Sequence, residues 1–112
     1  IIEDPVMVQL CMGIPWGAPN DMNTYMAMVN NVPDSWVWSA FSIGRMQMPY
    51  VAAAALAGGN IRVGLEDNLY LDRGVFATNA QLVERAADIA TNMGAKIIGP
   101  DAVRERLKLV KR

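Results

Sequence analysis

Short apolar runs alternate along the chain with stretches of helical period, in the order strand, helix, strand, helix, strand, helix. The first strand is expected at Val6 to Met12, closed by Gly13-Ile14-Pro15-Trp16-Gly17. Asn20 or Asp21 can then cap a helix running through Met22, Tyr25, Met26 and Val29, which Pro33 ends. A second strand, Trp36 to Ile43, leads through Gly44-Arg45 into a helix from about Met46 to Ala57. Pro49 falls in its first turn, where proline is tolerated, and Gly58-Gly59 stops it. The third strand is read as Asn60 to Glu66, followed by a loop from Asp67 to Ala77. Thr78 and Gln81 form a capping-box pattern for a helix whose stripe is Leu82, Val83, Ala86, Ile89, Ala90 and Met93, with Gly94 at its end. A last short helix is expected from about Asp101 to Val110, after Gly99-Pro100.

Consecutive strand-helix units joined by short loops imply an α/β fold with a parallel sheet and right-handed crossovers. Three units do not close a barrel. A (β/α)8 barrel takes ~250 residues, so residues 1–112 read as one partial domain, the last three βα units of such a barrel, with open sheet edges that other strands must pair.

The chemistry concentrates in Gly58-Gly59-Asn60-Ile61-Arg62-Val63-Gly64-Leu65-Glu66-Asp67-Asn68. In a pleated strand Arg62, Gly64 and Glu66 point one way and Ile61, Val63 and Leu65 the other. Charge on a face that must be buried requires a partner, a metal or a ligand, which argues for a site at the strand's C-terminal end. Regular strand rise would put Arg62 about 13 Å below Glu66, so the arginine either reaches upward or serves the fold. On the residues alone, an acidic strand end that caps a loop or pairs with arginine is the commoner explanation.

Composition narrows the chemistry further. The 112 residues are 53% hydrophobic with a net charge of -1, a globular balance with no basic run to favour nucleic acid; the one cationic cluster, Arg104 to Arg112, reads as a helix end. There is no histidine, which excludes serine-histidine and cysteine-histidine catalysis and a histidine-rich zinc site built from this chain by itself. The single cysteine, Cys11, fits a reducing compartment, and the cytoplasm is the expected location. The apolar run Tyr50 to Ala57 is far short of the ~20 residues of a membrane span. The methionines and the Trp36/Trp38 pair read as core and interface filling, and Gly13 to Gly17 as a plain turn or a ligand loop.

Three stretches together resemble the β-keto acid cleavage enzymes, founded on 3-keto-5-aminohexanoate cleavage: Gly44-Arg45-Met46-Gln47-Met48-Pro49, the Gly58 to Asn68 segment, and Leu69-Tyr70-Leu71 with Arg73-Gly74. The resemblance covers almost the whole chain. It implies a zinc-dependent TIM barrel that exchanges acyl groups between a β-keto acid and acetyl-CoA, releasing acetoacetate and a new acyl-CoA. By position it makes Glu66 a zinc ligand alongside two histidines that this chain lacks, Asp67 a general base, and Arg62 the group that stabilises charge on the reacting acid or enolate. Gly44 and Arg45 open a helix at the same end of the sheet, where backbone amides favour an anion such as a CoA phosphate. Asn60 departs from the family, which often has histidine there, and is expected to affect packing or capping. The partners implied are a β-keto acid, acetyl-CoA and either further copies of the chain or the remainder of the barrel. A self-associating, non-catalytic module and a small open domain holding Mg²⁺ on the acid pair stay open as alternatives.

Overall fold

The computed structural model describes residues 3–110, so the last two cations of the C-terminal cluster, Lys111 and Arg112, lie outside it. Three parallel strands, β1 (Met7–Met12), β2 (Val37–Ser42) and β3 (Asn60–Ile61), form a sheet in the order β1-β2-β3. Helix α1 (Met22–Asn31) connects the first pair; a 3-10 turn (Gly44–Met46) and α2 (Gln47–Leu56) connect the second. The chain then makes a small antiparallel hairpin, β4 (Tyr70–Asp72) and β5 (Val75–Phe76), and ends in α3 (Asn79–Asn92) and α4 (Pro100–Arg106).

Local signals set the helix ends. Asp21 caps α1, its carboxylate accepting from the Thr24 amide at 2.8 Å, and Thr78 and Gln81 complete the expected capping box of α3. Gly94, at φ +85°, lets the chain leave α3 through a conformation costly to residues with a Cβ.

Register then sorts the sheet into two faces. Gln9 lies beside Ser39 and Cys11 beside Phe41, while Ser39 pairs with Asn60. Leu10, Met12, Trp38, Ala40 and Ile61 therefore share one face, and they pack with Tyr25 of α1 and Tyr50 and Ala54 of α2 into the hydrophobic core. Burying each such large side chain contributes roughly 1.5–3 kcal/mol. Tyr25 and Tyr50 meet edge to face with centroids 5.2 Å apart, and the Tyr25 hydroxyl donates to the Ala53 carbonyl at 2.9 Å. Trp38 lies so close over Gly59 that any side chain there would overlap its ring, which explains the second glycine of the pair.

Three elements differ from the sequence reading. The last helix, expected from about Asp101 to Val110, runs only over Pro100–Arg106, with Leu107 as its C-cap. The third strand pairs only over Asn60–Ile61, because the amides of Asp67 and Asn68 both donate to the Gly64 carbonyl at 3.2 Å and curl the chain into a turn before Glu66. The expected loop contains the β4–β5 hairpin, turned by Gly74 at φ +73° and closed by a Tyr70–Phe76 ring stack at 5.0 Å. Asn60 donates its side-chain amide to the Trp38 carbonyl at 3.0 Å, a packing role at the sheet edge. Among the described residues no helix is long and apolar enough to cross a membrane.

Candidate functional site

The turn after β3 brings together the three charged residues that the sequence set apart. The Arg62 guanidinium donates from Nε to Asp67 Oδ2 at 3.0 Å and from Nη2 to Asp67 Oδ1 at 3.2 Å, a two-pronged grip on one carboxylate. Glu66 Oε1 stands 3.6 Å from Arg62 Nη2. The rise of a straight strand therefore does not apply: because the backbone folds back at Gly64, Arg62 meets both acids without reaching upward.

The arginine is fixed from the other strands as well. Its Nη1 donates to Gln9 Oε1 of β1 at 2.8 Å, and its Cζ lies 4.2 Å from the centre of the Phe41 ring of β2, a cation-π contact. Gln9, Phe41 and Arg62 all belong to the face opposite the hydrophobic core, so parallel pairing delivers them to one place. Cys11 shares that face. Burial pushes its thiol pKa up, the Asp67 carboxylate adds to the rise, and the Arg62 charge opposes it.

A buried amide network holds the acid turn from below. Gln47, with no solvent exposure, donates from Nε2 to the Gly64 carbonyl at 3.0 Å. Asn68 spans 2.7 Å to the Tyr70 carbonyl and accepts from the Tyr70 amide at 3.1 Å, tying the turn to the hairpin. The Gly44 amide donates to the Asp67 carbonyl at 2.7 Å, so this N–H braces the acid turn and is already engaged. Asn79, at the start of α3, accepts from the Leu65 amide at 2.9 Å.

Asp67 is buried at 7% exposure, whereas the Glu66 side chain is 59% exposed and folds back across Gly64. A Cβ at position 64 would overlap the Glu66 carboxylate, so glycine there is a condition of the glutamate's position. Glu66 and Asp67 open onto a cleft of about 1430 Å³ whose walls also include Gly44, Arg45, Tyr70 and Arg73. The cleft lies beyond the C-terminal end of β3, the end at which parallel α/β sheets place their ligand sites.

The chain matches the family profile described as beta-keto acid cleavage enzyme over residues 1–109. It belongs to the beta-keto acid cleavage enzyme family. It is 70% identical, over its whole length, to the 3-dehydrocarnitine:acetyl-CoA trimethylamine transferase of Rhizobium meliloti, of which it spans 37%. It is 34% identical over 98% of its length to the 3-keto-5-aminohexanoate cleavage enzyme of Fusobacterium nucleatum, spanning 40% of that protein. With the 3,5-dioxohexanoate:acetyl-CoA acetone transferase of Paraburkholderia graminis it shares 29% identity over 97% of the chain. The chain thus spans about two-fifths of the length of these relatives.

The donor set of this family member bears on zinc. A protein zinc site takes three or four protein ligands. Among the described residues no three Cys, Asp or Glu side chains converge, and both oxygens of Asp67 are engaged by Arg62. Of the acid pair, Glu66 is the one with an accessible carboxylate, so the chain fits zinc as the source of one ligand and does not fit it as a complete site.

Proposed function

We propose that the chain forms the last three βα units of a (β/α)8 barrel that exchanges acyl groups between a β-keto acid and acetyl-CoA, yielding acetoacetate and an acyl-CoA. The observation that carries this reading is the convergence of Arg62, Glu66 and Asp67 at the C-terminal end of the third parallel strand, in a chain of this family. The 70% identity to a protein named for 3-dehydrocarnitine and acetyl-CoA supports 3-dehydrocarnitine as the keto acid to try first.

In this reading Glu66 supplies one carboxylate to a zinc ion whose other ligands come from earlier barrel strands. Zinc, when bound there, would polarise the β-keto carbonyl and so favour deprotonation beside it. Asp67 is the general base. Arg62 takes one lone pair from each of its oxygens, fixing the carboxylate's plane and leaving the remaining lone pairs for the proton of the keto acid. Three of the five guanidinium N–H bonds of Arg62 are used in these hydrogen bonds, which leaves one on each terminal nitrogen for a developing enolate or a substrate carboxylate. Arg45, exposed beside Gly44 on the same cleft, offers charge to an anionic part of CoA.

β1 and β3 each have a single neighbour among the described residues, so their outer edges call for the remaining strands of a barrel. The same edges support a second reading, in which copies of the chain pair into a non-catalytic oligomer. The cytoplasm remains the proposed location, on the single cysteine.

The test is acetoacetate release by the complete barrel given 3-dehydrocarnitine, with and without acetyl-CoA. Release that requires acetyl-CoA, with an acyl-CoA appearing in equal amount, is the expected outcome. No turnover with this or any other β-keto acid would refute the enzymatic reading.

A further inference from the structure

The cleft beside the acid turn carries a charge pattern that the proposed chemistry does not use up. Its three carboxylates each have an arginine at hand: Glu66 and Asp67 share Arg62, and Asp72 has Arg85 at 3.1 Å. Arg45 and Arg73 line the same cleft and, among the described residues, form no ion pair. Because Arg62 serves two carboxylates, the four arginines exceed the three acids by one charge, and Arg45 and Arg73 are, among the described residues, the two exposed guanidinium groups of the cleft without a carboxylate partner. Two cations without a carboxylate on one concave surface attract an anionic ligand.

The two arginines stand on different supports. Arg45 belongs to the 3-10 turn after β2, and Arg73 sits beside Gly74 at the tip of the β4–β5 hairpin. That hairpin is braced: Arg85 of α3 donates to the Leu71 carbonyl and to Asp72, and Tyr70 stacks on Phe76. A braced hairpin presents its tip cation with less ordering cost on binding than a free loop.

We infer that the outer wall of this cleft binds the phosphate groups of the acyl-CoA co-substrate, with Arg45 and hairpin residue Arg73 as its two cationic contacts. The inference rests on the proposed acyl exchange for the identity of the ligand, and on the charge pattern for its chemistry. Guanidinium forks match phosphate oxygens in pairs, and Tyr70 gives the same wall an aromatic surface beside them. The thioester end of the ligand then points inward, toward Glu66 and Asp67.

The experiment compares Arg73→Gln and Arg45→Gln with the unaltered complete barrel, using acetyl-CoA and the phosphate-free thioester acetyl-pantetheine. Each substitution is expected to raise KM for acetyl-CoA roughly 10-fold, while KM for acetyl-pantetheine moves less than about 2-fold. Equal effects on both thioesters, or none on either, would overturn the inference. Calorimetric titration with adenosine 3′,5′-bisphosphate at low and high salt reads the same wall without turnover. Salt-sensitive binding that weakens in Arg73→Gln supports it, and no binding by the unaltered protein overturns it. Loss of acetyl-CoA-dependent turnover in every protein, including the unaltered one, counts against the proposed function instead, and the titration still decides the phosphate site.

Discussion

Arg62 holds both oxygens of Asp67, at 3.0 and 3.2 Å, while a third N–H of the same guanidinium reaches past β2 to Gln9 of β1 at 2.8 Å. One planar group thereby fixes a buried carboxylate relative to the whole sheet. Lysine has neither the fork nor the flat face that lies over Phe41. Arg62→Lys is therefore expected to keep the charge and still lower kcat by about 10²-fold or more, with a smaller change in KM. Steady-state kinetics on the complete barrel check this, and a near-normal kcat would show that charge alone suffices.

Gly64 gives a test that changes no charged group. Its missing side chain is where the Glu66 carboxylate lies. Gly64→Ala should displace that carboxylate and weaken zinc affinity about 10–100-fold, as lost ligand positioning does elsewhere, with little change in circular dichroism. Competition with a chelator measures the affinity; unchanged zinc retention would separate Glu66 from the metal.

Gln47 is fully buried and bonds the Gly64 carbonyl, with Asn68 3.5 Å from its Oε1. Gln47→Leu removes one of the three donors to that carbonyl and the long contact to the Asn68 amide, while the Asp67 and Asn68 amides and the Tyr70 carbonyl remain as their partners. The expected loss is about 0.5–1.5 kcal/mol of stability, the net worth of one hydrogen bond, seen as a lower midpoint in urea without a change in slope. Activity should fall with it, since the same carbonyl anchors the acid turn.

Burial, together with the neighbouring Tyr50, pushes the Tyr25 pKa up to about 12 from the usual 10. The unfolded chain therefore releases this proton first as pH rises. The stabilising difference is whole below pH 10 and is lost between about pH 10 and 12, on the order of 2–3 kcal/mol in all. Tyr25→Phe should flatten that alkaline loss while forgoing the hydrogen bond to the Ala53 carbonyl. Urea unfolding at pH 8 and at pH 11 separates the two effects, and an equal slope with pH in both proteins would contradict the assignment.

Much of the fold was legible because its signals are local. Asp21, Thr78 with Gln81, and Gly94 mark helix ends by their own chemistry, and the apolar runs of β1 and β2 lie within a residue of where they were expected. The third strand was overextended because Asn60 to Glu66 alternates like a strand, whereas the Gly64 carbonyl is claimed by two turn amides and the Gln47 side chain. The hairpin was hidden in a stretch of two short strands, too brief for periodicity to register, although Asp72-Arg73-Gly74 between aromatic residues is a turn signature. Arg62, Glu66 and Asp67 stood out as charges in an apolar run. Gln9 and Phe41 did not, since a glutamine and a phenylalanine in two different strands acquire meaning only through the register that aligns them beside Arg62.

The most direct test of the central claim is zinc per chain by elemental analysis, taken with acetyl-CoA-dependent acetoacetate release, for the complete barrel and its Glu66→Gln and Asp67→Asn variants. The division of labour argued here predicts about one zinc in the unaltered protein and in Asp67→Asn, a large loss of zinc in Glu66→Gln, and turnover lost in both variants. A Glu66→Gln protein that retains both its zinc and its turnover would contradict the assignment of the acid pair.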